Sequence, residues 1–539
     1  MKNESNFLDR NTILAVLLVG LAWFAWQSYL NKKYPNMNQP QTQQKTSEVE
    51  NNQKDLKTSE KATILANNTV AVRPNSQLEL KETLSEILEE SAHFQISNFG
   101  LGIKKYELKK YTQRDKSPIQ FAKNENIFEL ALIGKSQPLQ FSIERSGSTL
   151  SGKAQFGKMI LERIMIYDPT SYSFQNKVIV YNPDESFQGI QVIIPENIEN
   201  YSSGSFLLPT YEHQEFVVFH EGKKEERINI TNTKENLNKS FTGVSTVSLA
   251  NQYFAAALND RSEIIPEAQV LIDQANKSAN MILSYKTTSL KDRFEFQFTT
   301  YIGPKTQATL EKANPELPAI LNFGFFGSIG KILLSVLKWF HGFVGNWGVA
   351  IILLTILARA IVLPFNIASY KSMKKMQKIQ PMIQSLRERY KEDPTKLNQE
   401  MMALMREQKV NPLGGCLPML LQMPIFFALF QVLGNSIELY QAPFIFWIHD
   451  LSLKDPYYVL PILMGATLYV QHKITPTTMD PTQAKVMQFM PVIFSLMMVS
   501  LPSGLTLYTF ISTLFGILQQ QYFTRDTRKT TTLTKEAKA

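Results

Sequence analysis

Residues 348–365 read GVAIILLTILARAIVLPF, an apolar run typical of a membrane-spanning helix and interrupted by a single charge, Arg359. A charged side chain at the centre of a spanning helix costs roughly 2.5–3.5 kcal/mol on insertion scales, and such residues usually face a bundle interior or a wet cavity. We therefore expect Arg359 to attract something negative or polar that enters the bilayer. The alternative is snorkelling to the headgroups, because Arg359 lies only about six residues, or ~9 Å along a helix, before Phe365.

Six apolar runs predict six transmembrane helices. The first run, Ile13 to Leu30, could be a cleaved signal peptide, but it carries Trp23 and Trp26 at its far end and lacks a small-x-small cleavage site, which favours an uncleaved anchor. The other five runs lie near 347–367, 416–437, 457–471, 486–501 and 503–521.

The charge distribution predicts the orientation of these spans. Residues 321–539 contain 21 Lys+Arg and 11 Asp+Glu, whereas residues 1–320 contain 35 and 36. The basic excess interleaves with apolar runs, so the positive-inside rule explains it better than a nucleic-acid patch does. Ten Lys/Arg in 369–410 and five after Tyr522 place these segments in the cytoplasm, which predicts cytoplasmic termini and an exported region at 31–340.

The exported region has the pattern of an all-β domain. Residues 294–298 alternate aromatic and polar side chains, and the segments 177–182 and 188–195 are β-branched runs bounded by turn residues. Several such strands predict a large sandwich. His93, His213 and His220 are scattered and lack the spacing of metal ligands, so we expect no metal site and no catalytic residue. Sandwiches often bind carbohydrate, which leaves a sugar-binding role open.

Two amphipathic segments flank the Arg359 run. Residues 328–340 place apolar side chains on one helical face and Ser328, Lys331, Ser335 and Lys338 on the other, which favours a helix lying in the membrane interface over one packed into a soluble core. Residues 369–410 form two apolar, Met-rich stripes separated by Asp393-Pro394, which predicts a basic helical hairpin. Its stripes either pack on each other or accept varied partners.

Several short motifs occur together in the C-terminal half and resemble the YidC family of bacterial membrane insertases, which has relatives in mitochondria and chloroplasts. Beside the Arg359 span they are NWG at 346–348, KVNPLGGC at 409–416, QMPIF at 422–426, QAP at 441–443, WIHDLS at 447–452, DPYY at 455–458, PILMG at 461–465 and FMP at 489–491. The exported region resembles the Gram-negative form more loosely, through NQYFAAAL at 251–258 and YIGPK at 301–305. The resemblance covers about 321–523 closely.

The resemblance implies an insertase and chaperone for inner-membrane proteins, with a hydrophilic groove that is open to cytoplasm and lipid and closed on the exported side. Arg359 would be the groove arginine, with Thr355 one turn earlier and Tyr508 as a groove aromatic. The next position is often aromatic in relatives but is Thr509 here. A substrate's apolar segment would lie along Met423, Phe426, Met464 and Met497. Implied partners are nascent inner-membrane proteins, the Sec translocon with its accessory subunits, the ribosome, targeting factors and anionic lipid, and not DNA.

The expected architecture is a six-helix membrane protein, an anchor helix plus a five-helix bundle, with a periplasmic β-sandwich and a cytoplasmic hairpin. The predicted boundaries are 1–30 for the anchor, 31–60 for a disordered linker, 61–320 for the β domain, 321–341 for the interfacial helix, 342–523 for the bundle with hairpin 369–410, and 524–539 for a basic tail. The single Cys416 excludes an internal disulfide.

The sequence also weighs against two other classes of membrane protein. No nucleotide motif or cofactor site is evident, since GSIGK at 327–331 lacks the phosphate-loop spacing. An ion-coupled transporter needs ionisable relays or broken helices at mid-membrane, and the predicted spans hold one arginine and no Asp or Glu. A membrane-anchored glycan-binding protein, whose bundle is only an anchor, is the other alternative.

Overall fold

The structure is a computed structural model that describes residues 81–122, 125–135, 137–199, 212–222, 224–233, 235–287, 291–408, 410, 417–475 and 481–536. The predicted anchor 1–30, the linker 31–60 and Cys416 lie outside the described residues. The chain forms two compact units. One contains residues 364–423, and the other contains 69–363 and 424–539.

The exported region folds as an all-β domain, as the alternating sequence patterns predict. Its strands are β1 (Leu84–Leu88), β2 (Ala92–Ser97), β3 (Ile103–Thr112), β4 (Pro118–Phe121), β5 (Glu129–Leu132), β6 (Ser142–Ser146), β7 (Thr149–Phe156), β8 (Met159–Asp168), β9 (Ser173–Tyr181), β10 (Gly189–Asn197), β11 (Glu215–His220), β12 (Lys224–Asn229), β13 (Leu237–Phe241), β14 (Val244–Ala250), β15 (Phe254–Asp260), β16 (Glu267–Asp273), β17 (Ser278–Lys286) and β18 (Arg293–Pro304).

These strands pair antiparallel in three sheets that enclose one hydrophobic core. The nine-stranded sheet has the order β12-β11-β14-β15-β18-β9-β8-β7-β6. The five-stranded sheet is β13-β16-β17-β10-β5, and the four-stranded sheet is β1-β2-β3-β4. In β18, Phe294, Phe296 and Phe298 are buried while Gln297 between them is exposed, which is the period-two pattern predicted from the sequence.

A fully buried arginine joins parts of this sandwich. Arg163 on β8 donates from Nη1 to the carbonyl oxygens of Gly100 and Phe128, both at 2.8 Å, and from Nη2 to Asn176 Oδ1 at 2.8 Å. Gly100 has a left-handed φ of 57°, and a β-carbon there would lie 2.4 Å from the Leu130 carbonyl oxygen. The arginine therefore satisfies carbonyls at a crowded crossing where no side chain fits.

The helices follow the β domain in the chain. They are α1 (Gln307–Ala313), α2 (Gly327–Val344), α3 (Trp347–Arg389), α4 (Pro394–Glu407), α5 (Leu417–Asn435), α6 (Val459–Ile474), α7 (Pro481–Met498) and α8 (Ser503–Glu536). Among the described residues, α3 is long and apolar enough to cross a membrane, with a mean hydropathy of 2.4 over 18 residues. The segments Leu420–Asn435 and Phe489–Met498 are apolar but shorter. Six membrane-spanning helices therefore remain a prediction.

The unit containing 364–423 shows how the hairpin helices pack. The sequence analysis treats the Arg359 span and the first hairpin helix as separate elements, whereas α3 runs through both, with Pro364 and Pro381 inside the helix. Asp393 caps α4 by accepting from the Lys396 amide, and Pro394 occupies its first turn. The two predicted stripes form a common cluster of Met376, Ile379, Ile383, Met405 and Val410. The stripes therefore pack on each other.

The interfacial helix is shorter at its start than the predicted 321–341, since α2 begins at Gly327. Leu334 and Leu337 are buried, and Leu337 belongs to the hydrophobic core of the helical bundle. Ile332, Trp339 and Phe343 are exposed on other parts of the helix. Thus α2 has one apolar face against the bundle and a second apolar face outside it, a distribution that suits a membrane interface.

Candidate functional site

The start of α3 is fixed against the loop that joins α5 to α6, residues 436–458. Asn346 caps the helix by accepting from the Val349 amide, and its Nδ2 donates to the Phe444 carbonyl at 3.0 Å. A β-carbon on Gly348 would lie 2.0 Å from the Phe444 ring. The NWG motif therefore combines a cap with a close approach that only glycine permits.

Further along α3, Arg359 reaches across to α8. Its side chain is partly buried, and Nε donates to Ser512 Oγ at 2.9 Å. Ser512 is itself buried. A neutral serine therefore helps to hold the guanidinium against α8.

Next to this contact lies Gly516, one turn after Ser512 on α8. The point where a β-carbon of Gly516 would stand is 3.7 and 3.8 Å from Arg359 Nη1 and Nη2. It is 3.2 Å from Gln471 Nε2 on α6. We call this point the notch. It brings side chains from α3, α6 and α8 together.

Ser512 and Gly516 belong to a row of small or polar residues on α8 that we call the polar stripe. Each residue lies three or four positions from another member of the row, and all are buried: Thr506, Thr509, Ser512, Thr513, Gly516 and Gln520. Three of the hydroxyls bond carbonyls of the preceding turn, as in Thr513 Oγ1 to the Thr509 carbonyl at 2.7 Å. Gln520 Nε2 donates to the Ile474 carbonyl at 3.1 Å, near the end of α6.

The residues that the family resemblance implied for the groove occupy different depths. Arg359 is partly exposed, whereas Thr355, Tyr508 and Thr509 are buried. Thr355 Oγ1 donates to the Ile351 carbonyl at 2.7 Å, and Thr509 Oγ1 donates to the Leu505 carbonyl at 2.9 Å. These two hydroxyls bond their own helices, and their role in substrate binding remains a prediction.

The apolar residues predicted to guide a substrate also separate into two groups. Phe426, Met423 and Met497 are half-buried, and the Phe426 ring lies 6.3 Å from the Phe494 ring of α7. Met464 is fully buried in the bundle core. Exposed apolar side chains continue along α7, at Phe489, Met490, Val492, Ile493 and Leu496.

Sequence reasoning missed Ser512, Gly516 and Gln471. The signal for the first two was present, because the α8 run places polar or small residues every three or four positions along an apolar helix. Gln471 gave no such signal, because it is the last residue of the apolar run 457–471 and a polar residue there is typical of the end of a spanning helix. Only the crossing of α6 and α8 brings it beside Arg359.

The opposite end of the bundle is closed by the 436–458 loop. Asp455, which is buried, accepts from Trp447 Nε1 at 3.0 Å and from the amides of Tyr457 and Leu460 at 3.0 and 2.7 Å. The Ser503 and Gly504 amides at the start of α8 donate to the Leu453 and Leu451 carbonyls. The loop thus caps α6 and α8 with its own polar groups.

The β domain contacts this same loop. Ile437 belongs to the hydrophobic core of the β domain, whereas Leu439, two residues later, belongs to the core of the bundle. Tyr440 OH and Gln441 Nε2 both donate to the Thr112 carbonyl, at 3.0 and 2.8 Å. The loop is therefore shared between the two folded parts.

A charged cluster in the β domain lies beside the connection to α2. Arg227 donates to Glu215 Oε1 at 2.6 Å and to the Ile320 carbonyl at 2.9 Å. Burial raises the pKa of Glu215, but the neighbouring His213 and the charges of Arg227 and Lys305 outweigh it and lower that pKa to about 2. Burial lowers the pKa of Lys305 to about 8. This network of charged side chains therefore binds the segment around Ile320 that leads to α2.

Comparison with known proteins matches both parts of the chain. A family described as the 60Kd inner membrane protein matches residues 339–530, and the YidC periplasmic domain family matches residues 86–336. An active YidC insertase crystal structure with its first transmembrane domain resolved is similar at 20% identity, with 81% of this chain and 91% of that chain covered and a TM-score of 0.36.

Two further solved structures are similar over different extents. YidC from Thermotoga maritima matches at 16% identity over 81% of this chain and 96% of its own, with a TM-score of 0.28. A galactose mutarotase-like protein from Lactobacillus casei matches at 10% identity over 41% of this chain and 100% of its own, with a TM-score of 0.28. The two family matches together span most of the chain from 86 to 530. The chain therefore belongs to the YidC family of membrane protein insertases, which are inner-membrane proteins with a periplasmic domain and are not enzymes.

Proposed function

We propose that this chain inserts and folds inner-membrane proteins through a hydrophilic groove bordered by α3, α6 and α8, in which Arg359 attracts the polar or acidic flank of the substrate. The observation that carries the proposal is the Arg359–Ser512 contact at 2.9 Å, beside the polar stripe of α8. A positive charge beside a row of small polar residues suits the binding of a polar substrate segment.

The energetic need for such a groove follows from the bilayer. Polar groups without partners in the hydrocarbon region cost several kcal/mol each. A polar groove lowers that cost for the flank, and Arg359 adds attraction for a carboxylate. The substrate's apolar segment then moves along the exposed side chains of α5 and α7 into lipid, where its own partitioning drives insertion.

The topology belongs to the same proposal. Six spans with both termini in the cytoplasm place the β domain and the 436–458 loop on the periplasmic side, and the basic hairpin 369–410 in the cytoplasm. The hairpin stripes pack on each other, so the basic outer faces are the surfaces that remain for the ribosome, targeting factors or anionic lipid. We propose that the insertase acts alone or beside the Sec translocon.

The test replaces Arg359 and measures insertion of paired substrates whose exported flanks carry either Glu or Gln. Arg359→Lys keeps the charge and should retain substantial insertion of the acidic substrate, whereas Arg359→Ala and Arg359→Glu should lose more. If Arg359→Glu inserts the acidic substrate at the native rate, the charge has no role. A snorkelling arginine predicts instead that all three variants affect both substrates alike.

A further inference from the structure

The 436–458 loop carries four large apolar or aromatic side chains that its own contacts leave exposed. Their exposed fractions are 49%, 78%, 68% and 42%, in the order Ile445, Phe446, Tyr457 and Tyr458. Trp447 connects the two halves of the group, because its ring stacks on Phe446 with 6.1 Å between centroids and its Nε1 donates to Asp455 Oδ1 at 3.0 Å. We call these four residues the aromatic rim. A group of exposed apolar side chains of this size marks a surface that something else covers.

The rim lies where the apolar run of α3 begins. Residues 348–365 hold one charge and, as a helix, extend about 27 Å, close to the ~30 Å hydrocarbon core of a bilayer. With α3 across the membrane, Gly348 therefore stands at one edge of the hydrocarbon. The Phe444 ring lies 2.0 Å from the β-carbon position of Gly348, and Ile445 and Phe446 follow directly in the chain. The first half of the rim is thus fixed at that edge.

This edge faces the periplasm, because the same loop bonds the β domain. Tyr440 and Gln441 both donate to the Thr112 carbonyl, and the β domain matches the YidC periplasmic domain family. Exposed apolar side chains also continue from the rim onto the adjoining helices, at Phe343 of α2 and at Val349 of α3. The rim therefore extends the apolar surface of a spanning helix rather than standing apart from it.

The charges of the loop are arranged for the same surroundings. Glu438 pairs with Lys338 of α2 at 2.6 Å. Asp450 and Asp455 accept hydrogen bonds from groups of the loop itself and of the start of α6. Lys454 is exposed, and a long cationic side chain beside aromatic rings suits the phosphates of a headgroup layer. The exposed part of the loop thus combines apolar rings with positive charge, which is the composition of a membrane interface.

Two rim residues also adopt a backbone conformation that disfavours their side chains. Phe446 has a φ of 52° and Tyr458 a φ of 57°, in the left-handed region that glycine and asparagine adopt more readily. A ring in contact with water alone offers nothing to offset this strain. Removal of the ring from water offsets it, because apolar surface is more stable outside water.

We propose that the periplasmic leaflet of the membrane covers the aromatic rim. The rings reach the boundary between headgroups and acyl chains, where aromatic side chains are favoured because one end is apolar and the other is wet. The backbone of the loop stays in the hydrated headgroup layer, so only the side chains leave water. The rim therefore holds the starts of α3 and α6 at one edge of the bilayer. This inference does not depend on the role of Arg359 in insertion.

The experiment places a fluorescent probe where a rim side chain stands. The full chain in a Cys416→Ser background, which has no other cysteine, receives Phe446→Cys or Tyr457→Cys, and each thiol is labelled with nitrobenzoxadiazole. The protein is reconstituted in vesicles of phosphatidylcholine and phosphatidylglycerol. Two rim positions are used so that a folding defect in one variant leaves the other to decide.

Ile265→Cys is the matched control, because Ile265 is 66% exposed and lies far from the rim. Strand β15 begins at Phe254, whose ring is 6.1 Å from the Tyr440 ring of the loop, and runs to Asp260. At about 3.3 Å per residue, this strand carries the chain roughly 20 Å away from the loop before Ile265.

Phospholipids with a nitroxide near the top of the acyl chain should quench the probes at 446 and 457 severalfold and the probe at 265 hardly at all. The same nitroxide at the chain end should quench the rim probes less, because only the side chains reach the boundary. Quenching at both rim positions that is no stronger than at 265 overturns the proposal. So does a blue shift of the rim probes that grows with the protein-to-lipid ratio without quenching by lipid, since a second copy of the chain then covers the rim.

Discussion

The two ends of the helical bundle use their polar groups differently. At the 436–458 loop, Asp455 accepts three hydrogen bonds, and the first amides of α8 are bonded to loop carbonyls. At the notch, Arg359 and Gln471 gather donors from two helices around a glycine. The first arrangement satisfies polar groups of the loop, whereas the second brings the charge of Arg359 to the polar stripe of α8, where we propose that the polar flank of a substrate lies. We therefore expect changes at the loop to reduce stability and changes at the notch to reduce insertion.

The largest expected effect is at Gly348. A valine there places its β-carbon about where the Phe444 ring lies, because the ideal position is 2.0 Å from that ring. Overpacking costs typically 1–3 kcal/mol and more when the backbone must move, so Gly348→Val should destabilise the bundle by at least about 3 kcal/mol. Thermal unfolding of the purified chain in detergent measures the loss. Gly342→Val is the control, and equal melting of the two variants contradicts the close contact.

Removal of Asp455 tests whether the hydrogen bonds of the 436–458 loop close that end of the bundle. Asp455→Ala leaves the Trp447 indole and two backbone amides without their acceptor, and unsatisfied buried donors cost about 1–3 kcal/mol each. We expect a net loss near 3 kcal/mol, with hydrogen exchange at the start of α6 rising in parallel. Unchanged exchange at Leu460 argues that the loop is not what fixes α6.

The charged cluster beside Ile320 predicts a pH dependence for the β domain. The folded pKa of Glu215 is about 2 against an ordinary value of 4.5, so its contribution is fully present above about pH 4.5 and is lost as pH falls toward 2. The difference corresponds to about 3 kcal/mol. Denaturant unfolding should show that Glu215→Gln lowers the free energy of unfolding by this amount at pH 7. The difference in unfolding free energy between the variant and the native chain should narrow between pH 4.5 and 2. Glu225→Gln, at a more exposed partner of Arg227, should show little of it, and a gap that does not vary with pH contradicts the account.

The smallest effect is expected at Ser512. Ser512→Ala removes one hydrogen bond to Arg359, and such a bond contributes about 1 kcal/mol. The charge of Arg359 stays. Melting should hardly change, whereas insertion of a Glu-flanked substrate should slow a fewfold. Ser500→Ala, near the far end of the bundle, is the matched control. If Ser512→Ala instead lowers the melting temperature strongly and leaves insertion normal, Ser512 serves stability rather than insertion, which contradicts the expected difference between the two ends of the bundle.

The sequence predicted the features that depend on local pattern. Period-two alternation identified β18, and the break at Asp393-Pro394 identified the start of α4, because each signal depends on neighbours in the chain. The stretch from the Arg359 span into the hairpin was harder, since the sequence analysis treated the two as separate elements whereas α3 continues through both. The cost of a charge in an apolar run led us to expect that Arg359 faces a bundle interior, and Arg359 Nε donates to Ser512 Oγ of α8; its role in substrate binding stays a prediction.

What the sequence could not show is which side chains meet across helices. Gln471 is about forty residues from Ser512 and more than a hundred from Arg359. Their meeting depends on how α3, α6 and α8 cross, which is set by packing of the whole bundle rather than by any local pattern. The division of Ile437 and Leu439 between two hydrophobic cores was hidden for the same reason.

We propose that the polar groove is reached from the cytoplasm and closed at the 436–458 loop. The direct measurement is labelling with a membrane-impermeant maleimide in the Cys416→Ser background, applied to inverted vesicles and to spheroplasts. Thiols react only where water reaches them, since the thiolate is the nucleophile. We expect Gln471→Cys to be labelled in inverted vesicles and Phe446→Cys, at an exposed loop position, to be labelled in spheroplasts. Labelling of Gln471→Cys from the exported side, or from neither side while Phe446→Cys reacts, would contradict it.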